Sequence, residues 1–252
     1  MKIAVLGAGA FGTALGGILA DNGYDVDFYD PEVERENLGE VVGDSDIIVL
    51  CTPSAVAPHL LPHLPKNTPL VIATKGILTD EIFREFRDYM VISGPGFAED
   101  IKAAKETKMT ITDNRLRQLF GAEYMDFDQT KDKKGVLMCG ALKNIYAIMA
   151  GYNGLKRGSA EWEAYIAKVA QEMKSILTFN GAESETVDLA CGISDLELTC
   201  EYPSRNYEYG DLLRQNSSYK PEKTVEGLSA LRRIRRGEIR VPDSALILKG
   251  ML

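Results

Sequence analysis

An α/β fold is predicted for this chain, in which an N-terminal doubly wound parallel sheet is followed by an all-helical C-terminal region. Three observations predict it. Short apolar runs, typical of buried parallel strands, alternate with helical patterns through the first half. A glycine-rich turn directly follows the first of these runs. Strand patterns then give way to helical periodicity, so we expect two domains, residues 1–130 and residues 131–252.

Composition and charge limit the classes of function. The chain has 252 residues, of which 45% are apolar and 26% charged, as in ordinary globular proteins. A net charge of −8 argues against nucleic acid or an anionic membrane surface as a partner, since either would require a positive field. The cysteines are scattered without CxxC pairing, as in reducing compartments. No signal-like segment precedes the first strand and no apolar run reaches about 18 residues, so we expect a cytoplasmic protein without membrane insertion.

The glycine-rich turn is the first candidate site. It comprises Gly7, Ala8, Gly9, Ala10, Phe11 and Gly12, between a strand at residues 2–6 and a helix that begins near Thr13. The first glycine permits a tight turn, the second lets backbone approach a pyrophosphate, and the third allows the helix to pack on the strand. The helix N-terminus would then direct unpaired amides at the phosphates. An ordinary glycine-rich turn is the alternative.

Asp30 ends the second predicted strand, residues 25–30. An acidic residue at this point accepts hydrogen bonds from the adenosine ribose of a dinucleotide. No arginine follows closely enough to favour a 2′-phosphate, so we expect NAD, with NADP as the alternative. The competing interpretation is that Asp30 only begins the turn at Pro31.

Further strands and helices alternate up to residue 127. Strands are predicted at residues 46–50, 70–73, 90–92, 108–111 and 124–127, and helices at residues 80–88 and 113–120. In doubly wound sheets ligands bind at the carboxyl ends of the strands. Lys75 and the Ser-Gly-Pro turn at Gly94 follow two of these strands, which makes them candidates for a ligand site. A solvated turn lysine is the alternative for Lys75.

No metal site is expected. The only histidines, His59 and His63, have i, i+4 spacing, but prolines interrupt the segment and no third ligand is nearby. Any general acid must therefore be another residue type, and lysine is the obvious candidate.

Lys143 is the one charge in the middle of a helix that is apolar on every side, and such helices are normally buried. Small residues at Gly140, Ala147 and Gly151 line the same stripe, so another backbone or a ligand could approach it closely. Snorkelling of the lysine to the surface is the alternative.

The remaining candidates follow a helix that Ser159 is predicted to cap and that ends at Asn180. Asp195 lies among apolar residues and could pair with Lys143, or could serve as a helix N-cap. Arg205 and Asn206 offer donors suited to a small phosphate, although a surface ion pair would also explain the arginine.

Taken together, these segments resemble the NAD(P)-dependent glycerol-3-phosphate dehydrogenases of the bacterial type. Seven motifs occur in the order of that family: GAGAFGTALG, ATKGI, SGPGFAED, GALKNIYAIMAG, GAESETVDLACGISDLELTC, SRNYEYG and TVEG. The resemblance implies a Rossmann-type domain followed by a helical domain. It also implies reversible hydride transfer between nicotinamide and C2 of glycerol 3-phosphate, giving dihydroxyacetone phosphate. The resemblance further implies that this reaction feeds glycerophospholipid synthesis.

Residue roles follow from the matching motifs. The resemblance implies that Lys143 is the general acid/base on the C2 oxygen, that Asp195 supports it, and that Lys75 is a third catalytic residue. The substrate is expected to contact Lys75, Gly94, Lys143, Thr199, Ser204, Arg205 and Asn206. The cofactor is expected to contact Gly7, Gly9, Ala10, Phe11, Gly12, Asp30, Lys75, Ala98, Arg205 and Glu226.

This sequence departs from the family pattern in three places. The segment after the second strand is shorter and lacks the arginine that often reads the adenine ribose, Gly96 replaces a serine, and the chain stops early, at Leu252. A homodimer is compatible with the resemblance. The alternatives are a related dehydrogenase for another small phosphorylated or carboxylated hydroxy compound, or a non-catalytic nicotinamide-binding protein.

Overall fold

The computed structural model describes residues 1–30, 37–77 and 79–252. These residues form two compact units. Unit 1 comprises Met1–Lys75 and Asp80–Lys133, and unit 2 comprises Gly76–Thr79 and Lys134–Leu252. The short crossover predicted after the second strand falls partly on residues 31–36, outside the described residues.

Unit 1 contains a seven-stranded sheet with the order β2-β1-β3-β4-β5-β6-β7. Its strands are β1 (Lys2–Leu6), β2 (Asp25–Tyr29), β3 (Ile47–Leu50), β4 (Leu70–Ile72), β5 (Tyr89–Ser93), β6 (Thr107–Ile111) and β7 (Met125–Gln129). The chain leaves β1 towards β2 and returns to the other side of β1 as β3, so the winding direction changes between β1 and β3. The predicted doubly wound α/β fold is confirmed, and ligands of such sheets bind at this switch point.

The central strands form because their sequences are apolar on both faces. Ile3, Val49 and Val71 are fully buried, as expected for parallel strands covered on each side. The helices of this unit are α1 (Ala10–Asp21), α2 (Leu38–Gly43), α3 (Ala57–Leu60), α4 (Ala98–Lys102) and α5 (Arg115–Phe120). Helix α1 packs against both α4 and α5, which places these three helices on one side of the sheet.

Two local predictions in unit 1 were wrong. The sheet is not wholly parallel, because β6 runs antiparallel to β5. The connection between them contains only the five-residue α4, and antiparallel neighbours do not need a full crossover. The helix predicted at residues 80–88 is a single 3₁₀ turn at Glu81–Phe83. The backbone at the end of this predicted helix forms long-range hydrogen bonds instead. Arg87 N donates to Lys66 O, and Asp88 O accepts from Leu70 N.

Unit 2 is helical. Its helices are α6 (Lys133–Tyr152), α7 (Ala160–Phe179), α8 (Asp195–Thr199), α9 (Arg205–Gln215), α10 (Glu226–Arg235) and α11 (Leu246–Met251). Helix α6 is the centre of the unit, because every residue from Gly135 to Ile148 is buried. Ser159 caps α7 by accepting from Trp162 N at 3.1 Å, as predicted. None of the helices in the described part of the chain is long and apolar enough to cross a membrane.

The small residues of α6 allow other helices to approach its backbone. A Cβ on Gly151 would lie 2.0 Å from the carbonyl oxygen of Tyr207 on α9. A Cβ on Gly227 of α10 would likewise lie 2.4 Å from the carbonyl oxygen of Asn144. The stripe was predicted to allow close approach of another backbone or of a ligand. At these points it contacts another backbone.

Candidate functional site

In unit 1, the glycine turn has the geometry that a pyrophosphate-binding loop needs. Gly7 has a φ of +106°, and a Cβ on Gly12 would lie 1.9 Å from the carbonyl oxygen of Gly7, so both positions require glycine. A Cβ on Gly9, in contrast, would meet nothing within 4 Å. The space beside Gly9 is therefore open to a ligand, at the N-terminus of α1 where anions are favoured.

Asp30 is held against this turn. Its Oδ2 accepts a hydrogen bond from the amide of Ala8 at 2.9 Å, and Gly7 N donates to Tyr29 O at 2.7 Å. The carboxylate thus lies at the end of β2 beside the glycine turn, which is the arrangement in which an acid recognises the ribose of a dinucleotide.

Lys75 and Gly94 lie together at the ends of β4 and β5. Lys75 Nζ donates to the carbonyl oxygen of Gly94 at 3.3 Å and lies 5.1 Å from the centre of the Phe11 ring. Gly94 is required by packing, because a Cβ there would lie 2.9 Å from Met109 Cα. Ala98 follows as the first residue of α4. The structure therefore brings a cation, an aromatic ring and the Gly94 turn to one edge of the sheet.

In unit 2, Lys143 forms an ion pair with Asp195. The two side chains are 2% and 1% exposed, and Lys143 Nζ contacts Asp195 Oδ1. Asp195 is the first residue of α8, directly after a π-helical turn at Ala190–Ser194. The predicted pairing is confirmed, and the lysine does not snorkel. A carboxylate that holds a buried ammonium in one orientation makes it a positioned proton donor.

Two residues near this pair, Thr199 and Cys200, are neutral. Thr199 Oγ1 donates to Asp195 O at 2.5 Å, one helical turn back along α8. Burial raises the pKa of the Cys200 thiol, and the positive charge of Lys143 opposes that shift only in part. The thiol therefore stays protonated beside the ion pair.

The start of α9 carries the residues predicted to bind phosphate. Ser204 is buried at the N-cap, whereas Arg205 is exposed and makes no ion pair with any residue in the described ranges. Asn206 is buried: its Nδ2 donates to Asn144 Oδ1 at 2.9 Å, and its Oδ1 accepts from Gly227 N at 2.9 Å. This amide chain joins α9 to α6 and to the start of α10, where Glu226 lies.

Sequence reasoning missed Glu172, a buried carboxylate on α7 that is 4% exposed. It accepts from Tyr146 OH at 3.1 Å and from the amides of Ile247 and Leu248 at 2.8 and 3.3 Å. Burial, together with this carboxylate, raises the pKa of Tyr146. The signal was available, because Glu172 falls three residues after Val169 on the apolar face of α7.

The doubly wound sheet, the glycine turn and the polar residues at the strand ends define a dinucleotide-binding α/β protein with a separate helical unit. A model of the NAD-dependent glycerol-3-phosphate dehydrogenase N-terminus matches residues 2–37 and 33–118, and a model of the C-terminus of the same proteins matches residues 132–240. The chain belongs to the NAD-dependent glycerol-3-phosphate dehydrogenase family.

Individual relatives agree with this assignment. The chain is 33% identical to a glycerol-3-phosphate dehydrogenase [NAD(P)+] of Leptospira biflexa, over 94% of this chain and 85% of that protein. It is 32% identical to the Rhizobium etli protein of the same name, over 91% and 85% of the two chains. The crystal structure of glycerol-3-phosphate dehydrogenase from Coxiella burnetii superposes with a TM-score of 0.84 at 25% identity, over 100% of this chain and 94% of that one.

Proposed function

We propose that this chain is an NAD(P)-dependent glycerol-3-phosphate dehydrogenase, which interconverts glycerol 3-phosphate and dihydroxyacetone phosphate. The observation that carries the proposal is the buried Lys143–Asp195 ion pair, in a family whose other members bear that name. A buried ammonium that is fixed by a carboxylate, with no histidine nearby in the sequence, is suited to act on a carbonyl oxygen.

Residues 1–130 are proposed as the dinucleotide-binding domain and residues 131–252 as the helical catalytic domain. The open space at Gly9, the closed packing at Gly12 and the amides of α1 fit the pyrophosphate of the cofactor. Cofactor contacts are assigned to Gly7, Gly9, Ala10, Phe11, Gly12, Asp30, Lys75, Ala98, Arg205 and Glu226.

The proposed chemistry rests on one proton and one hydride. When bound, the reduced nicotinamide supplies the hydride that C2 of dihydroxyacetone phosphate accepts. Lys143 Nζ gives its proton to the C2 oxygen as the carbonyl double bond opens, so that the products are an alcohol and a neutral amine. Asp195 keeps the ammonium oriented, and the positive charge stabilises the negative charge that develops on the oxygen.

Substrate recognition is assigned to polar groups that the family motifs carry. These are Lys75, Gly94, Lys143, Thr199, Ser204, Arg205 and Asn206. The exposed guanidinium of Arg205 suits bidentate binding of a phosphate. Because Asn206 already uses its Oδ1 and one amide hydrogen inside the protein, its second amide hydrogen is the group assigned to the substrate.

NAD is the proposed preference over NADP. The carboxylate of Asp30 lies beside the glycine turn, where it would accept from ribose hydroxyls and repel a 2′-phosphate. Comparison of kcat/KM for NADH and NADPH tests this preference, and comparable values would contradict it.

A cytoplasmic role in glycerophospholipid supply is also proposed. Four free cysteines suit a reducing compartment, and a net charge of −8 argues against nucleic acid as a partner. No membrane insertion is proposed. A homodimer is the proposed assembly, to be tested by the mass of the protein in solution.

The direct test is NADH oxidation on addition of dihydroxyacetone phosphate, followed at the absorbance of NADH. The wild type should turn over, and Lys143→Met should lose turnover while it keeps NADH affinity. Lys168→Met, at an exposed lysine on α7, is the matched control and should behave as the wild type.

Two results would contradict the proposal. One is near-normal kcat in Lys143→Met. The other is a folded wild type that binds NADH but does not oxidise it with dihydroxyacetone phosphate. In the second case a panel of small phosphorylated and carboxylated ketones identifies a related dehydrogenase, and inactivity with all of them identifies a non-catalytic binding protein.

A further inference from the structure

Thr52 is a buried threonine two residues after the end of β3 that the reaction described above does not use. The residue is 2% exposed, and its Oγ1 has no hydrogen-bond partner among the residues that the structure describes. Buried hydroxyl groups are nearly always paired, because an unpaired one keeps the full cost of losing water. This hydroxyl therefore calls for a partner from outside the chain.

The place of Thr52 in the fold points to the kind of partner. It follows β3 at the carboxyl edge of the sheet, beside the switch point between β1 and β3. A Cβ on Gly7 would lie 2.9 Å from the amide nitrogen of Thr52, so the two backbones are in contact. Thr74 Oγ1 donates to Thr52 O at 2.9 Å, which ties Thr52 to the segment that follows β4.

Other buried threonines show that an unpaired hydroxyl is not a general property of this fold. Thr74 Oγ1 also donates to Leu50 O at 3.1 Å, and Thr112 Oγ1 accepts from Val91 N at 2.8 Å. Thr52 carries the only buried hydroxyl without a partner in the described part of the chain. This unpaired hydroxyl therefore belongs to a residue at the carboxyl edge of the sheet, where ligands of doubly wound sheets bind.

We propose that Thr52 is a further cofactor-binding residue, whose hydroxyl donates a hydrogen bond to the pyrophosphate of the bound dinucleotide. The inference rests on the proposed function, since it takes a nicotinamide dinucleotide as the ligand. The pyrophosphate is the part of such a ligand that lies on the glycine turn, and its charged oxygens are strong acceptors. Burial raises the pKa of the adjacent Cys51 thiol to about 12, so no negative thiolate opposes the phosphates there.

Thr52→Val tests the proposal, because it removes the hydroxyl and keeps the shape of the side chain. Calorimetric titration should show about tenfold weaker binding of NADH, equivalent to about 1.4 kcal/mol. ADP-ribose, which contains the pyrophosphate, should weaken equally, and AMP, which lacks it, should bind as it does to the wild type. The Tm of the ligand-free variant should be unchanged or higher, because no buried hydroxyl is left unpaired.

Two further variants separate binding from structure. Thr52→Ser keeps the hydroxyl and should retain most of the NADH affinity of the wild type. Thr112→Val removes a paired hydroxyl from the same sheet, so it should lower Tm and leave NADH affinity unchanged.

Unchanged NADH affinity in Thr52→Val would overturn the proposal, as would an equal loss for AMP. A wild type that does not bind NADH would overturn it as well. The proposed function fails separately: a wild type that binds NADH but does not turn over dihydroxyacetone phosphate refutes that function, whereas the titrations still decide the role of Thr52.

Discussion

Replacement of Asp195 by leucine is the most direct test of the buried ion pair. The variant leaves the ammonium of Lys143, which is 2% exposed, without its carboxylate. Removal of one partner from a buried pair costs about 3–5 kcal/mol, because the remaining charge stays out of water. Native proteins are stable by only about 5–15 kcal/mol, so a large share of the free energy of unfolding should be lost.

The double variant Lys143→Met with Asp195→Leu carries the stronger prediction. It fills the same volume with apolar groups, and such replacements are often neutral or stabilising by about 1–4 kcal/mol. The double variant should therefore be more stable than Asp195→Leu alone, with a coupling energy of about 3 kcal/mol between the two positions. It should have no activity, because the proton donor is gone.

Guanidinium unfolding followed by tryptophan fluorescence measures these free energies. Trp162 is the single tryptophan of the chain and is buried in unit 2, so its emission reports on the unit that contains the pair. A loss below about 1 kcal/mol in Asp195→Leu would refute the reasoning, because it would mean that water solvates the ammonium. So would a double variant as unstable as the sum of the single variants.

Three other predictions follow from single sites. Gly9→Ala should fold with unchanged Tm and bind NADH more weakly. Gly12→Ala should be strongly destabilised, because its Cβ would lie 1.9 Å from a carbonyl oxygen. If Gly9→Ala binds NADH with wild-type affinity, the glycine turn is not part of the cofactor site. Glu172→Leu should lower the free energy of unfolding by more than about 2 kcal/mol, because it leaves buried donors unpaired, and Glu172→Gln, which keeps an acceptor, should lose less. The side-chain hydrogen bond from Arg115 lowers the pKa of Asp113 from its ordinary value of 3.8 to about 2. The stability from this pair is thus present above pH 3.8 and is lost as pH falls towards 2. Arg115→Met, which also removes the ion pair with Asp88, should be less stable at pH 6 by up to about 1 kcal/mol, since both pairs are partly exposed. Unfolding curves at pH 6 and pH 2 should show the difference shrink, because about half of Asp113 is protonated at pH 2, and an equal difference at both pH values would contradict the assignment.

The sequence by itself determined the elements whose cause is local. The apolar runs of β1 and β3 are strands because both of their faces are covered, and the turn after β1 needs glycine for its own backbone and for α1. The sequence likewise predicted that α6 is buried, since a helix that is apolar on every side has no polar face to expose to water.

The local sequence pattern did not predict the structure correctly where distant segments compete for the same backbone hydrogen bonds. The segment at residues 80–88 has helical spacing, but its last amides and carbonyls pair with Lys66 and Leu70 instead of with each other. The direction of β6 was also not determined by its own residues, because an apolar strand can pair in either sense.

Tertiary structure alone decided how the polar groups are paired. The sequence marked Lys143 and Asp195 as candidates, but only the fold brings both into one buried contact. It also shows that Glu172 joins α6 and α7 to α11, and that the hydroxyl of Thr52 is left unpaired beside the glycine turn. The physical reason is that the state of a buried polar group depends on every group that surrounds it in space, and those groups come from distant parts of the chain.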